Sequence, residues 1–283
     1  AAWQVRHGPP GFEVTDGQGR PLATLGPSPF ETELFGRRFG ALVIDAPATA
    51  ELPQAARDGV LALAAQEADA QGYHLVQAHL DSRSLVVAPA LESAGFRVVD
   101  TRVEFLTRLD RRSAPRHLPP FGTITFAGPQ HRDALLALVH EGLVANPQFQ
   151  SRYKDPAYFT LEETGRWFTA WVDNDLADPH ALVATWEVEG RAAAFFGWGR
   201  RGDLSGLPLY RSTLAATAPD LRGHRAHMFL QTALFAALPH DEFWMQSVTQ
   251  MGNGPIIRNN FALGRRLERV DLVFFRRGPV PGP

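Results

Sequence analysis

Apolar residues in the C-terminal part of the chain recur at the spacing of one helix face. Counting from residue 226, positions i, i+3, i+4, i+7, i+8 and i+11 are all apolar: Ala226, Phe229, Leu230, Ala233, Leu234 and Ala237. This period predicts an α-helix of about four turns. The helix should end near Pro239, because proline cannot continue the hydrogen bonding of a helix interior.

The segments around this predicted helix alternate between strands and helices. The pattern predicts strands at 210–217, 242–249 and 267–276, and a short helix at 256–261. From Tyr210 to Arg276 the pattern therefore predicts, in order, a strand, a turn, a helix, a second strand, a short helix and a third strand.

The N-terminal part repeats this order in weaker form. After a hairpin, the pattern predicts helix, strand, helix and strand at 52–70, 73–78, 85–93 and 97–109. Alternation of this kind is typical of α/β proteins. We therefore predict an α/β chain with a mixed sheet, built from two copies of one fold in tandem.

A stretch rich in proline and charge separates the two predicted copies. Residues 111–120 read Arg-Arg-Ser-Ala-Pro-Arg-His-Leu-Pro-Pro and show no hydrophobic period, which is typical of a linker. The predicted division is a first domain at residues 1–112, a linker at 113–120 and a second domain at 121–283.

In the first part of the second domain, the pattern predicts a strand at 122–126 and helices at 130–143 and 161–172. It then predicts a hairpin whose strands are 182–187 and 192–199. Residues 200–209 are polar and contain Gly202, Gly206 and Pro208. They predict a loop long enough to lie over a site.

Composition places the chain among globular proteins with an ordinary core. Of its 283 residues, 45% are hydrophobic and 20% are charged. A net charge of -2 gives no overall field that would attract nucleic acid or an anionic membrane. The chain has no cysteines, which excludes disulfides and Cys-ligated metals. Neither a ~20-residue apolar run nor a signal-peptide pattern is present, so we expect a cytoplasmic protein.

The turn before the C-terminal helix offers chemistry suited to an anion. Arg222-Gly223 opens the helix, whose first backbone N–H groups lack acceptors within the helix. These groups and the positive end of the helix dipole favour a phosphate or pyrophosphate, and five arginines between 200 and 227 add positive charge. An ordinary βα turn with a solvated basic surface also fits these residues. The histidines lack metal-ligand spacing, so no metal is predicted.

Parts of the second domain resemble a known family. The order of elements from residue 210 resembles the second half of the GCN5-related N-acetyltransferases, in which the turn holds the pyrophosphate of coenzyme A. Residues 249–253, Thr-Gln-Met-Gly-Asn, are followed by a short helix, a glycine and a closing strand. This run resembles more narrowly the fucosamine-type sugar-nucleotide N-acetyltransferases. Residues 149–153 and 167–172 resemble the acceptor-side helices of the same group.

The resemblance implies a co-substrate and the residues that hold it. Acetyl-CoA or another acyl-CoA would donate the acyl group. Backbone N–H groups of the strand before the turn would face the thioester carbonyl. The implied donor-binding residues are Ala215, Ala216, Thr217, Arg222, Gly223, His224, Arg225, Ala226, His227 and Asn253. The implied acceptor-binding residues are Arg152, Tyr153, Trp167 and Trp186.

Three positions depart from the family pattern. Arg225 and His227 stand where the family prefers small residues, mostly glycine, so their side chains either point outward or block the phosphate site. Asn260 stands where the family carries a tyrosine that protonates the leaving thiolate. An amide donates a hydrogen bond but releases no proton, so Tyr210 is a candidate substitute. The implied catalytic residues are Asn260, Tyr210 and Asn253.

The sequence leaves three functions open. The first is an N-acyltransferase that moves an acyl group, in the simplest case acetyl, from coenzyme A to a small-molecule amine such as an amino-sugar nucleotide. The second keeps the fold but uses another donor, such as an acyl carrier protein, or another reaction. The third is a non-catalytic ligand-binding module. The family also suggests a homodimer, which a tandem chain could imitate within one polypeptide.

Overall fold

The computed structural model describes residues 3–8, 11–112 and 116–279. One compact unit combines residues up to 102 with those from 269 onward, and the other comprises residues 103–268. The predicted linker at 113–120 falls inside the second range, and its residues 113–115 lie outside the described part of the chain. The division into domains at that linker stays a prediction.

The first unit is a mixed sheet with helices packed against it. Its strands are β1 (Gln4–Gly8), β2 (Gly11–Thr15), β3 (Pro21–Pro27), β4 (Phe39–Ile44), β5 (Leu75–Asp81) and the start of β6 (Arg97–Asp110). Its helices are α1 (Pro29–Phe35), α2 (Ala46–Ala50), α3 (Gln54–Ala70) and α4 (Ala88–Ser93). Strands β1 to β4 pair antiparallel in sequence order, and β4 pairs parallel with β5. A parallel pair needs a crossover, which α3 supplies while its buried residues pack into the core.

The second unit repeats this plan. Its strands are β7 (Thr123–Phe126), β8 (Ala181–Val188), β9 (Arg191–Leu204), β10 (Leu207–Thr217), β11 (Glu242–Gln250) and the start of β12 (Leu267–Arg277). Its helices are α5 (Arg132–Val139), α6 (Leu161–Ala177), α7 (Ala226–Ala237) and α8 (Gly254–Ala262). The strand order is β6-β11-β10-β9-β8-β7. Strands β7 to β10 pair antiparallel, and β10 pairs parallel with β11 across the crossover helix α7. β12 continues into the first unit, where it pairs antiparallel with β5.

The predicted alternation of strands and helices is confirmed. β10, α7, β11, α8 and β12 follow in the order expected for the C-terminal region, and β4, α3, β5, α4 and β6 repeat that order near the N terminus. The predicted fold class, α/β with a mixed sheet, is confirmed as well. The helix predicted at 130–143 is interrupted, because α5 ends at Val139 and a π-helical turn runs over His140–Val144.

The loop predicted at 200–209 is wrong. β9 continues to Leu204 and β10 begins at Leu207, so the two-residue turn Ser205-Gly206 joins them. Both turn residues have positive φ, 50° and 77°, as in the tight hairpin turns that match the twist of the strands. The end of β9 carries the exposed charged residues Arg200, Arg201 and Asp203, so it gives no alternating hydrophobic signal.

Substitution at the turn should change stability in a direction set by the left-handed backbone. Ser205→Asn should raise the free energy of unfolding by up to about 1 kcal/mol, because asparagine tolerates a conformation that costs other residues ~1–2 kcal/mol. Ser205→Val should lower it, because a β-branched side chain tolerates positive φ least. Chemical denaturation compares the two variants, and the reverse order would contradict this turn.

Candidate functional site

A row of hydrogen-bonded side chains holds three strands together where the pairing of β10 with β11 ends. Arg211 Nε on β10 donates to Gln246 Oε1 on β11 at 2.6 Å. Gln246 Nε2 donates to the buried Glu104 Oε1 on β6 at 2.5 Å. Low surrounding dielectric strengthens such a network, so this row fixes the point from which the two strands can separate.

β10 and β11 separate beyond this row. Their parallel pairing joins Leu209–Arg211 to Trp244–Gln246, while β10 continues to Thr217 and β11 to Gln250. The strands therefore present main-chain N–H and C=O groups to the wedge between them. A ligand that enters the wedge can bond to these groups as an added strand would.

A β-bulge in β10 reverses the direction of its side chains beside the wedge. Between Ser212 and Ala215, β10 advances three residues while its partner β9 advances two. Tyr210 before the bulge and Ala215 after it both pack on the core beneath α7. Thr213 and Ala216 face the opposite side, where they meet α6 and the turn after α5. A bulge leaves its extra residue unpaired, so free main-chain groups lie at this point.

The chain then passes from β10 into α7 through a turn that leaves the helix start open. Pro219–Leu221 forms one 3-10 turn, and Arg225 is the N-cap of α7. The Arg225 side chain makes no capping hydrogen bond, so the first N–H groups of α7 are available to an anion.

Arg225 adopts the backbone conformation that the resembling family gives to glycine. Its φ is 62° and its ψ is 29°, in the left-handed region. This conformation costs a non-glycine residue ~1–2 kcal/mol. Arg225 is exposed, and its side chain makes no capping hydrogen bond at the helix start.

His227 points into the core. Its ring packs edge-on against Phe196 with centroids 4.7 Å apart, and Gln231 Nε2 lies 2.9 Å from its Nε2. Burial first, and then the charge of Arg265, lower the pKa of His227 to about 3. The ring is therefore neutral at physiological pH, and His227 can offer a phosphate its backbone N–H but no charge.

Asn260 is enclosed between α7 and α8. It has no exposed surface. Its Nδ2 donates to Ile256 O at 2.9 Å, and its Oδ1 accepts from Arg265 Nη1 at 2.8 Å. Arg265 is itself buried, and burial lowers its pKa to about 9. The residue in the family's tyrosine position thus belongs to a buried polar network.

Asn253 and Tyr210, the other two predicted catalytic residues, have structural partners. Asn253 caps α8, where its Oδ1 accepts from Ile256 N at 3.5 Å. Tyr210 is buried against Trp198 and Phe243 on the side of α7. Burial raises the pKa of the Tyr210 hydroxyl, which makes it a weaker acid. The catalytic roles of these residues stay predictions.

The predicted acceptor-binding residues divide into two groups. Arg152 lies over the ring of Tyr153, with its guanidinium carbon 4.7 Å from the ring centroid, and Tyr153 stacks on Trp167 at 4.0 Å. Trp186 lies elsewhere: it is fully buried in the core beneath α7, and its Nε1 donates to Phe121 O at 2.9 Å. The structure therefore brings together three of the four predicted residues.

The π-helical turn after α5 brings the acceptor-side helices to the end of β10. Gly142 lies in this turn, and a Cβ at that position would lie 3.6 Å from the Ala216 Cβ and from the Thr217 carbonyl oxygen. These are ordinary van der Waals distances, so the turn lies directly against the end of β10. Such turns are frequent at functional sites.

Asp175 on α6 is a half-buried carboxylate beside the bulge. Thr213 Oγ1 donates to its Oδ2 at 2.5 Å. Gly197 on β9 makes room for the pair, because a Cβ there would lie 2.9 Å from the same carboxylate oxygen. Burial is the main cause that raises the pKa of Asp175 to about 6, although the hydrogen bond from Thr213 opposes it. A carboxylate with this pKa can accept a proton near neutral pH.

Sequence reasoning did not single out Asp175, Thr213 or Arg265. Asp175 belongs to the acidic end of an amphipathic helix, with Asp173 and Asp178 nearby, which is typical of a solvated surface. Arg265 follows a helix-closing glycine and is surrounded by further arginines in the sequence. Their burial arises from contacts with residues far along the chain, so no local pattern could have revealed it.

The described part of the chain contains neither a metal-binding cluster nor a membrane-spanning helix. Within residues 3–8, 11–112 and 116–279, no group of three or more His, Asp or Glu side chains is arranged to hold a metal ion. Over the same part of the chain, no helix has the length and apolar character needed to span a membrane.

Comparison with known proteins assigns the fold. No protein-family model and no curated protein sequence matches the chain. A GCN5-related N-acetyltransferase from Sphaerobacter thermophilus aligns with a TM-score of 0.58 and 14% identity over 95% of this chain and 82% of that one. A tandem GNAT protein from the clavulanic acid biosynthesis pathway aligns with a TM-score of 0.56 and 14% identity over 97% of this chain and 86% of that one. A GCN5-related N-acetyltransferase from Kribbella flavida aligns with a TM-score of 0.51 and 11% identity over 100% of this chain and 91% of that one. The chain therefore has the fold of the GCN5-related N-acetyltransferases (GNAT).

Asp175→Asn should stabilise the protein, and the gain should grow with pH. The folded-state pKa of about 6 lies above the ordinary 3.8, so stability is lost as pH rises through 6 and the buried carboxyl ionises. The asparagine variant avoids this loss, so its free energy of unfolding should exceed that of wild type by up to about 3 kcal/mol at pH 8. This difference should become smaller below pH 6. Denaturation at several pH values measures this. Asp173→Asn on the same helix is the control: it removes the ion pair of Asp173 with Arg132 and should show no such pH-dependent gain.

Arg225→Gly should be more stable than Arg225→Ala, by about 1 kcal/mol, because glycine adopts a left-handed backbone without strain. In a right-handed helix the preference would be reversed. Thermal unfolding of the two variants decides between these cases, and a more stable alanine variant would contradict the left-handed N-cap.

Proposed function

We propose that this protein is an N-acyltransferase that moves an acyl group from a coenzyme A thioester to the amine of a small molecule. The observation that carries this proposal is the wedge between β10 and β11 beside the open start of α7, set in a GNAT fold. The wedge provides main-chain partners for the pantetheine arm, and the helix start provides N–H groups for the pyrophosphate.

The donor's charged end would rest on the backbone between Arg222 and His227. Arg222 and Arg225 are exposed and can add charge-assisted hydrogen bonds to the phosphates. His227 contributes its backbone N–H alone, because its ring is buried and neutral. Asn253 at the start of α8 would contact the pantetheine arm.

The thioester carbonyl would lie against the end of β10. The bulge between Ser212 and Ala215 frees main-chain groups there. Fixed N–H donors directed at the developing oxyanion contribute roughly 3–4 kcal/mol each to the lowering of the barrier. Ala215 and Ala216 are small, which leaves room for the acyl group.

The acceptor amine would approach from the side of α5 and α6. Asp175 can accept the proton that the amine must lose, since its raised pKa places it near neutral pH. Thr213 orients the carboxylate through the hydrogen bond at 2.5 Å. Arg152, Tyr153 and Trp167 would form part of the acceptor pocket, with an amino-sugar nucleotide as one acceptor to test.

We place the donor site in the second unit alone. In the first unit, the connection from β4 to α3 contains the extra helix α2, whose N-cap Asp45 accepts from Ala48 N at 3.0 Å. This side chain satisfies an N–H group that a phosphate would need. The first unit is then a degenerate copy of the same fold.

The decisive experiment measures binding and release separately. Calorimetry with acetyl-CoA and longer acyl-CoA esters tests the donor site, and release of free thiol across a panel of amines tests transfer. Thr217→Trp should abolish both by filling the wedge. Transfer from a loaded acyl carrier protein without binding of free coenzyme A would favour that donor instead, and binding without transfer to any acceptor would favour a non-catalytic module.

Asp175→Asn should lower kcat/KM by roughly 10²–10⁴-fold, the usual range for loss of a general base, while acyl-CoA affinity stays unchanged. Asp173→Asn should keep full activity. Steady-state kinetics with calorimetry checks both variants. Full activity of Asp175→Asn would remove Asp175 from the mechanism.

A further inference from the structure

Two glycines on β9 lie beneath two side chains of opposite charge. Side chains two residues apart on a strand share one face of the sheet, so Gly197, Gly199 and Arg201 belong to the same face. A Cβ on Gly197 would lie 2.9 Å from Asp175 Oδ2, and one on Gly199 would lie 2.9 Å from Arg201 Nη2. Both distances are too short for a real Cβ. Glycine at these two positions therefore lets the carboxylate and the guanidinium lie directly on the strand.

Asp175 and Arg201 influence each other without forming an ion pair. Two residues along a strand span ~7 Å, and in the described part of the chain the carboxylate that pairs with Arg201 is that of Asp178. Burial raises the pKa of Asp175 to about 6, whereas the hydrogen bond from Thr213 and the charge of Arg201 oppose the increase. A carboxylate and a guanidinium thus stand at the two ends of a short span over β9.

Both groups keep atoms that can bind a ligand. Asp175 accepts the Thr213 hydrogen bond through Oδ2, and its Oδ1 accepts none from the described residues. Arg201 Nη1 donates to Asp178 Oδ2 and to Arg200 O, both at 3.4 Å, beyond the usual range of ~2.7–3.2 Å. Within the same part of the chain, Nε and Nη2 of Arg201 have no hydrogen-bond partner, and 41% of this side chain is exposed. These two nitrogens form an edge that can bind a carboxylate through two parallel hydrogen bonds.

This pair of charges lies beside the bulge in β10. Thr213, which bonds to Asp175, is one of the bulged residues. Gly199 is paired with Arg211 on β10, but Arg211 bonds to Gln246 on β11 and belongs to the row that joins the strands. Arg201 is therefore the guanidinium that we assign to a ligand.

We propose that the acceptor is an amino acid, whose amine binds at Asp175 and whose carboxylate binds at Arg201. This inference rests on the proposed acyltransferase function and names its acceptor class. Two charge-assisted contacts of ~2.8 Å each take up most of the ~7 Å span. An amine and a carboxylate on the same carbon, or on neighbouring carbons, therefore fit best.

The two charged residues have different tasks in transfer. The amine enters as the free base, its nitrogen forms a bond to the acyl carbon, and it gives one proton to Asp175. The C–S bond breaks, and its electron pair stays on sulfur, which takes a proton from water while Asp175 returns its proton to water. Arg201 contacts the carboxylate alone, so it sets specificity and takes no part in proton transfer.

The test compares α- and β-amino acids with their own amides, for example glycine with glycinamide. Release of free thiol from acetyl-CoA gives kcat/KM for each acceptor, expressed per free amine so that differences in amine pKa do not enter. For the wild-type protein we expect the amino acid to exceed its amide by about 10–100-fold, the usual effect of a hydrogen bond between charged groups. The difference should lie mainly in KM.

Arg201→Gln should remove this preference. Its kcat/KM should fall by about 10–100-fold for the amino acid and stay unchanged for the amide. Arg200→Gln is the matched control, because it removes the same charge from the other face of β9, where Arg200 pairs with Asp203. It should keep the preference. Thermal unfolding verifies that both variants are folded.

Gly199→Ala displaces the guanidinium without removing its charge. The new Cβ would lie 2.9 Å from Arg201 Nη2, at the end of a flexible side chain that can move, so the fold should accept it. The preference for the amino acid should weaken, and Arg201→Lys should also keep only part of it, because lysine lacks the two-pronged edge. If Arg201 were merely structural, the preference would be the same in both variants.

The possible failures are distinguishable. Transfer to amines without preference for the amino acid, or a preference that persists in Arg201→Gln, overturns the amino-acid site and leaves acyl transfer standing. Preference for an amino-sugar nucleotide over every amino acid also overturns the site. If no amine is acylated, calorimetry with the same amino acids, with and without coenzyme A, decides. Binding that Arg201→Gln removes keeps the site and overturns acyl transfer, whereas absence of binding overturns both.

Discussion

The hydrogen bonds from Arg211 through Gln246 to Glu104 hold β10, β11 and β6 together at the last paired residues of β10 and β11. Up to that row the strands are parallel neighbours. Beyond it a bulge in β10 reverses its side chains, and the wedge opens. The start of α7, Asp175 on α6 and the turn after α5 all lie near the end of β10.

Three features around the wedge are each unfavourable for stability. Arg225 holds a left-handed backbone, Asp175 is a half-buried carboxylate with a raised pKa, and the buried Arg265 donates to two neutral amides in the described part of the chain. Strain and unpaired charge of this kind persist where the surrounding structure supports them, and they concentrate at sites of binding and catalysis. Their occurrence together in one unit argues for a ligand more strongly than any one of them does.

Sequence periodicity predicted the elements well where one face of a helix or strand is buried. The stripe of α7 and the alternation in β10, β11 and β12 have that property. It failed for the hairpin between β9 and β10, because the end of β9 is exposed and charged. It also failed for the end of α5, where a π-helical turn continues a helical pattern with different hydrogen bonds. In both cases the hydrophobic pattern carries no information about the backbone.

The sequence by itself determined the order of strands and helices, the α/β class and the turn that opens α7, because local spacing and turn residues control these features. Tertiary structure alone decided that His227 points into the core, that Arg225 takes a glycine-like backbone, that Asp175 is half-buried and that Arg265 is buried. A side chain's burial and charge partners depend on residues distant in the chain. Thr213 lies 38 residues from Asp175, and Gln231 lies 34 from Arg265, so the chemistry of the site emerges only when the strands and helices are packed.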